Sequence, residues 1–312
     1  MKKLINYEGN EKIMKELKEN IAEVAPFFGA GASHTYGYPL WKELLVRLLE
    51  VSFLSGDMAE KDKREIETFI NKNEYMRVAD ALEKKSNQQL RKDVCFIMND
   101  FVKKARPISI GRNGSWNEHL HKLPSQTYLT TNYDSVIENI LKLNSVKNLK
   151  SATPIDFSGQ TGLKPPIIYH LHGIYTNPDT IILSSFDYDE FYGIERRNVI
   201  LRQTFAKRLY ELFVKYSFLF IGCSINITED RIFRLLKKLI INMPQSKHHY
   251  ALLDENEEKN KNKYTRMCEL SRLNIKPIWY SSRNTKHEEA INELFEYLLG
   301  DLQITFRGKR NT

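Results

Sequence analysis

The 312-residue sequence predicts an α/β fold, a mostly parallel sheet with helices on both faces. Two observations predict it. Short apolar runs of strand length recur along the chain, separated by longer stretches with apolar residues at helical spacing. Four of these segments lead into polar or glycine-containing turns: Gly29 to Ser33, Thr131 to Asp134, His172-Gly173 and Gly222 to Ser224. In a parallel sheet with right-handed crossovers such turns gather at the carboxyl ends of the strands, where ligands bind. The expected architecture is Rossmann-like, a single domain over residues 1–312 with a helical insertion or lid over about 57–106.

Each element has its own warrant. Residues 11–24 carry Ile13, Leu17, Ile21 and Val24 on one helical face. Ala25, Phe27 and Phe28 form a buried strand that runs into Gly29-Ala30-Gly31-Ala32-Ser33. A helix follows from about Leu40 to Leu54, with Pro39 near its first turn and a stripe at Trp41, Leu44, Leu45, Leu48 and Leu49. From Ala59 to Lys104 there is no glycine or proline, and two or three helices are expected there; Arg106 to Ser115 reads as a loop. Strands are expected at Gln126 to Leu129, Pro165 to Gly173, Ile181 to Leu183, Phe218 to Ile221, His249 to Leu253 and Lys276 to Tyr280. Helices are expected at 134–143, Arg196 to Tyr216, 229–241 and Glu288 to Leu299, with a charged helix before the last strand and a helix cap at Ser184 to Asp187. Lys150 to Pro166 reads as irregular.

Composition narrows the function classes. Hydrophobic residues make up 41% of the chain, enough for a large core. No apolar run reaches the ~18 residues of a membrane span, and Met1 to Asn6 lacks a signal-peptide apolar region, so a cytoplasmic location is expected. Cys95, Cys223 and Cys268 are too far apart for a zinc site or a disulfide framework. The net charge of +8 is interspersed, as in Glu257 to Lys263, which suits a solvated surface better than direct nucleic-acid binding. Arg307-Gly308-Lys309-Arg310 is a short basic tail.

The strand, glycine turn and helix at Phe27 to Ser33 suit a phosphate, because backbone N–H groups and a helix N-terminus can face the anion. Two common versions of that site are excluded. The dinucleotide fingerprint needs a glycine where His34 stands, and no phosphate-loop lysine follows the turn.

Gly29-Ala30-Gly31-Ala32-Ser33 followed by Gly37-Tyr38-Pro39 resembles the first motif of sirtuins. Thr131-Asn132-Tyr133-Asp134 is similar to their Gln-Asn-x-Asp motif, His172-Gly173 to their catalytic His-Gly, and Gly222-Cys223-Ser224 to their Gly-Thr/Ser-Ser turn. The resemblance covers about residues 25–255. The two Cys-x-x-Cys pairs of zinc-binding sirtuins are missing, and the helical block stands in place of their zinc module. Leu40-Trp41-Lys42 and Ile225-Asn226-Ile227-Thr228 also depart from the segments that serve sirtuin deacylation. The pattern looks more like the zinc-free sirtuin-like domains of bacterial anti-phage systems, such as Thoeris effectors and the domains working with HerA-type ATPases. That resemblance implies hydrolysis of NAD⁺ to nicotinamide and ADP-ribose, with NAD as substrate, no zinc, and assembly as a homo-oligomer or with such an ATPase.

The chemistry asks little covalent help. The protein must hold the pyrophosphate, orient the ribose, place a water and accept a proton. The backbone N–H groups of Ala30, Gly31, Ala32 and Ser33 are the candidate pyrophosphate cradle, with Gly29 in the same cofactor-binding turn. Asn132 is the candidate for fixing a ribose hydroxyl or the water, and His172, with an ordinary pKa of about 6.5, for the base. Thr131 and Asp134 are cofactor-binding candidates, Asp134 to orient the turn or to accept from the ribose; Gly222, Cys223 and Ser224 face the adenosine side. Simpler roles stand beside these. Asn132 and Asp134 suit a helix cap, His172 a turn, Trp41 the core as well as a nicotinamide platform, and Cys223 a small buried hydrophobe. His170 is expected on the same side of its strand as His172, a metal pair without a third ligand. Two other functions use the same fold: an NAD-dependent protein deacylase or ADP-ribosyltransferase, and a non-catalytic module that senses NAD or ADP-ribose.

Overall fold

A computed structural model of the chain describes residues 3–86, 89–106, 108, 116–144, 146–159, 165–193, 204–225, 231–242, 247–256 and 263–300. Within them one sheet holds β1 (Val24–Phe28), β2 (Thr127–Thr130), β3 (Lys150–Ala152), β4 (Ile167–His170), β5 (Ser217–Ile221), β6 (His249–Asp254) and β7 (Ile275–Tyr280). The order is β3-β4-β2-β1-β5-β6-β7, and every pairing in it is parallel. The chain therefore places β2, β3 and β4 on one side of β1, with β4 between β2 and the edge strand β3, then returns to add β5 on the other. That reversal opens a crevice at the carboxyl ends of β1 and β5, the place where open α/β sheets bind ligands.

The helices in chain order are α1 (Asn10–Glu19), α2 (Ala30–His34), α3 (Trp41–Leu54), α4 (Glu60–Asn71), α5 (Tyr75–Ser86), α6 (Gln89–Lys104) and α7 (Asn117–Leu120). They continue with α8 (Val136–Leu143), α9 (Pro154–Gly159), α10 (Ser185–Tyr192), α11 (Thr204–Lys215), α12 (Arg231–Asn242), α13 (Lys263–Ser271) and α14 (His287–Leu299). The expected stretches at 109–115, 196–203, 226–230, 257–262 and 307–310 lie outside the described residues.

Alternation along the strands divides the core in two. Phe28, Leu219, Ile221, Tyr250 and Leu252 face one cluster with α3 and α14, while Phe27, Phe218, Phe220, Ala251 and Leu253 face the other with α11 and α12. Both faces are covered, which is why these strands read as continuous apolar runs in the sequence. The block α4 to α6 joins the first cluster through Ile66, Val78, Leu82, Val94 and Ile97, and it packs against α3. Its buried side chains thus extend the core of the sheet.

Two expectations are corrected. Ile181 to Leu183 is buried but is no strand, because its backbone groups are taken singly. The Ile182 N–H donates to His172 C=O at 2.9 Å, the Tyr133 hydroxyl donates to Ile182 C=O at 2.7 Å, and the Leu183 N–H donates to Asp187. The stretch after Lys150 is not all irregular: it supplies β3 and α9. A three-residue edge strand pairs on one side only and needs no apolar run, so Lys150-Ser151-Ala152 carries no strand pattern.

Candidate active site

The two glycine turns fit into each other at the crevice. The Gly29 N–H donates to Ile221 C=O at 2.9 Å and the Gly31 N–H to Gly222 C=O at 3.0 Å. A Cβ on Gly29 would stand 2.4 Å from the Gly222 oxygen, so the missing side chain is used for close backbone packing. The Ala32 N–H is also engaged, by Gly29 C=O at 3.1 Å. Of the N–H groups expected to cradle a pyrophosphate, those of Gly31 and Ala32 are therefore satisfied within the protein.

Asn132 ties the β2 turn to this pair. Its Nδ2 donates to Gly29 C=O at 3.0 Å and to Ser33 Oγ at 2.8 Å, and its own N–H donates to Thr130 Oγ1 at 3.0 Å. The donor end of the amide is committed to the glycine turn. The acceptor end is what Asn132 can offer to a ribose hydroxyl or a water.

Asp134 follows in the same turn and accepts from the Val136 N–H at 2.9 Å, the capping role open to it from the sequence. Burial pushes its carboxyl up to about 6; hydrogen bonds from Val136 and Ser33 offset part of that. A raised carboxyl pKa makes ionisation costly in the folded state. Stability is lost as pH rises from about 4 through 6, on the order of 3 kcal/mol once the group is ionised. Asp134→Asn keeps an acceptor without the charge. It is expected to raise the melting temperature at pH 8 relative to wild type, with the difference shrinking at pH 4; equal shifts at both pH values would refute the charge argument.

His172 is buried at the end of β4 and is flanked by two phenols of α10. The Tyr192 hydroxyl is 3.0 Å from Nε2 and the Tyr188 hydroxyl 3.3 Å from Nδ1. Burial pushes the imidazole down to about 3, which corrects the expectation of an ordinary value near 6.5. The ring is neutral throughout the physiological range. Helix α10 is held by a capping box between Ser184 and Asp187, and α5 and α6 reach its start: the Ser185 N–H donates to Asp80 at 2.7 Å and Arg91 to Asp187 at 2.6 Å.

His170 does not share the surroundings of His172. The ladder ends at His170, paired with Thr130, and the chain then turns away at Gly173. His170 instead meets Glu138 of α8 through Nε2, in a buried ion pair that also receives the Ser151 hydroxyl at 3.0 Å. Burial alone would raise Glu138 and lower His170, but their attraction outweighs it, so Glu138 sits low and His170 high. The Glu138 contribution is lost as pH falls through its depressed pKa, and the His170 contribution as pH rises through its raised one, so the pair stabilises across neutrality. Glu138→Ala leaves a lone buried imidazolium, an expected cost of about 3–5 kcal/mol in chemical denaturation at pH 7. A loss under about 1 kcal/mol, the range of exposed pairs, would mean that the pair is solvated.

The remaining candidates sit at the margins. The Thr131 N–H is used by Phe28 C=O at 3.2 Å. Trp41 opens α3 and packs, half-buried, on the first cluster, in keeping with its simpler role. The Cys223 Sγ lies 3.6 Å from Phe27 C=O, half-buried, and Ser224 is exposed. Among the described residues no group of three histidine, cysteine or acidic side chains is placed to hold a metal. A cleft of about 460 Å³ between the ends of α6 and α8, lined by Val102, Arg106, Lys142 and Leu143, contains none of these candidate residues.

Sequence reasoning misses Glu138, Tyr188 and Tyr192. Two signals are present: an acid four residues after Asp134 among the apolar positions of α8, and two tyrosines four apart on one helix.

The all-parallel order with its reversal at β1 and β5, and the hydrogen-bonded glycine and asparagine turns at their carboxyl ends, define an open, Rossmann-like α/β protein. Residues 126–278 match a family model described as SIR2-like domain. It is also similar to three proteins named NAD(+) hydrolase ThsA. The one from Acinetobacter baumannii (strain 532279) is 27% identical over 246 residues, covering 78% of this chain and 44% of that protein. The one from Bacillus cereus (strain MSX-D12) is 24% identical over 290 residues, 88% of this chain and 55% of that protein. The one from Cytobacillus dafuensis is 26% identical over 262 residues, 82% of this chain and 45% of that protein. The chain thus spans about half the length of the curated relatives it matches.

Proposed function

We propose that this chain hydrolyses NAD⁺ to nicotinamide and ADP-ribose, as an NAD-depleting effector of bacterial anti-phage defence. The observation that carries the reading is the convergence of Gly29, Ser33, Asn132 and Asp134 on one hydrogen-bonded cluster at the switch point of the sheet. The names of the similar proteins support it.

In the reaction the bond between the ribose C1′ and the nicotinamide nitrogen breaks, and its electron pair neutralises the pyridinium. Water adds to the oxocarbenium-like carbon and gives up one proton. Asn132 orients the sugar or the water through its free acceptor. His172 is neutral, as a base must be, and the pyrophosphate of the substrate supplies negative charge that raises its affinity for the proton. The reaction takes place in the cytoplasm and needs control, through a homo-oligomer or a partner such as a HerA-type ATPase; neither the membrane nor direct nucleic-acid binding has a part.

One observation favours a second reading. A histidine held near pKa 3 between two phenols is a weak base, as suits a module that binds NAD⁺ or ADP-ribose without turning it over. Incubation of the purified chain with NAD⁺, followed by chromatography for nicotinamide and ADP-ribose, separates the two. Product formation supports the hydrolase. Tight binding by calorimetry with no product supports the sensor, and neither binding nor product rejects both.

A further inference from the structure

The Glu138–His170 pair touches the candidate site at one point, the backbone of Asn132: His170 Nδ1 is 3.3 Å from the Asn132 carbonyl oxygen. A carbonyl only accepts, so Nδ1 must carry a proton; the Glu138 carboxylate at Nε2 also accepts, so that nitrogen carries one too. We infer that Glu138 and His170 are positioning residues for Asn132: the carboxylate keeps the imidazole doubly protonated, and the retained Nδ1–H holds the Asn132 carbonyl and with it the angle of the side chain. The kinetic consequence rests on the NAD⁺-cleaving reading of the site; the hydrogen-bond geometry does not.

The choice of tautomer decides the contact. If His170 becomes neutral beside a carboxylate, its remaining proton stays on Nε2, where the acceptor is charged. Nδ1 then turns a lone pair to the Asn132 carbonyl, and the two oxygen and nitrogen lone pairs repel. The other groups facing the pair are Ser151, which donates to the same Glu138 oxygen at 3.0 Å, and Asp134, whose charge adds to that of Glu138 in holding the second proton. Asn132 is thereby fixed by four contacts from four directions: Thr130 at its N–H, Gly29 and Ser33 at its amide, and His170 at its carbonyl. Removing the last frees the peptide that the side chain hangs from.

The test compares two substitutions at His170 in a Glu138→Gln background, so that no bare carboxylate is buried. Asparagine places an amide N–H near the position of Nδ1–H, and leucine fills similar space without a donor. The double variant E138Q/H170N is expected to keep at least about 10-fold more kcat for nicotinamide release than E138Q/H170L, at a similar KM for NAD⁺. Equal kcat values would overturn the inference. Independently of turnover, nitrogen-15 spectra of the histidine-labelled wild-type chain at pH 7 are expected to show protons on both ring nitrogens of His170, assigned by their loss in H170N. A bare Nδ1 would overturn the inference whether or not the chain cleaves NAD⁺. A wild-type chain that releases no nicotinamide yet shows both protons would count against the hydrolase reading and leave the positioning contact standing.

Discussion

Asn132→Ala is expected to reduce nicotinamide release from NAD⁺ by about 10²–10³-fold, the usual loss when one preorganised polar group is taken from a reacting centre. Two effects add. The acceptor proposed to orient the sugar or the water disappears, and the glycine turn loses the amide that ties it to β2. The second effect has a stability component: two buried hydrogen bonds at about 1 kcal/mol each. A melting curve measured beside the assay separates the two, since a loss of about 2 kcal/mol leaves most of the protein folded at 25 °C. If the variant retains turnover within about 10-fold of wild type, Asn132 is a cap and the reacting atoms are elsewhere.

A large effect on stability is expected from Gly222→Ala. Gly222 has φ +65°, and a Cβ there would stand 2.2 Å from the Ala32 nitrogen and 2.7 Å from the Gly31 carbonyl carbon. Both neighbours are backbone, so relief requires one glycine turn to move off the other. Left-handed strain costs an alanine about 1 kcal/mol, and the clash adds to it, for a total of at least about 3 kcal/mol. Gly9→Ala is the control: its φ is +83°, but nothing lies within 4 Å of the added carbon. Chemical denaturation of both variants should give a loss of about 1 kcal/mol for Gly9→Ala and a loss several times larger for Gly222→Ala. Equal losses would mean that strain alone acts and that the two turns are not in close contact. Turnover is expected to fall with the displacement, since a misplacement of about 1 Å at a reacting centre can cost about 10²-fold.

Much of this site is legible from single stretches of sequence. Gly29 to Ser33, Thr131 to Asp134, His172 and Gly222 to Ser224 can be identified as strand-end turns because period and punctuation are local properties, and the sheet order puts them at one end. The Ser184–Asp187 cap is legible for the same reason. The residues that escape are those whose meaning depends on a distant partner. Glu138 is 32 positions from His170, and Tyr188 and Tyr192 are 16 and 20 positions after His172. Nothing in a single stretch says which buried polar group another will meet.

The amino-acid sequence by itself determined the strands buried on both faces, their alternation with helices and therefore the parallel sheet, and the identity of the turns at its carboxyl edge. These follow from burial pattern and chain geometry, which act over a few residues. Only the tertiary structure decided how those turns are used. It satisfied two of the expected N–H donors within the protein, committed the Asn132 amide to Gly29 and Ser33, and parted His170 from His172. It also set the ionisation of the buried groups, raising Asp134 to about 6 and lowering His172 to about 3. Desolvation and the orientation of neighbouring dipoles are properties of packed space, and they exist only once segments far apart in the chain have met.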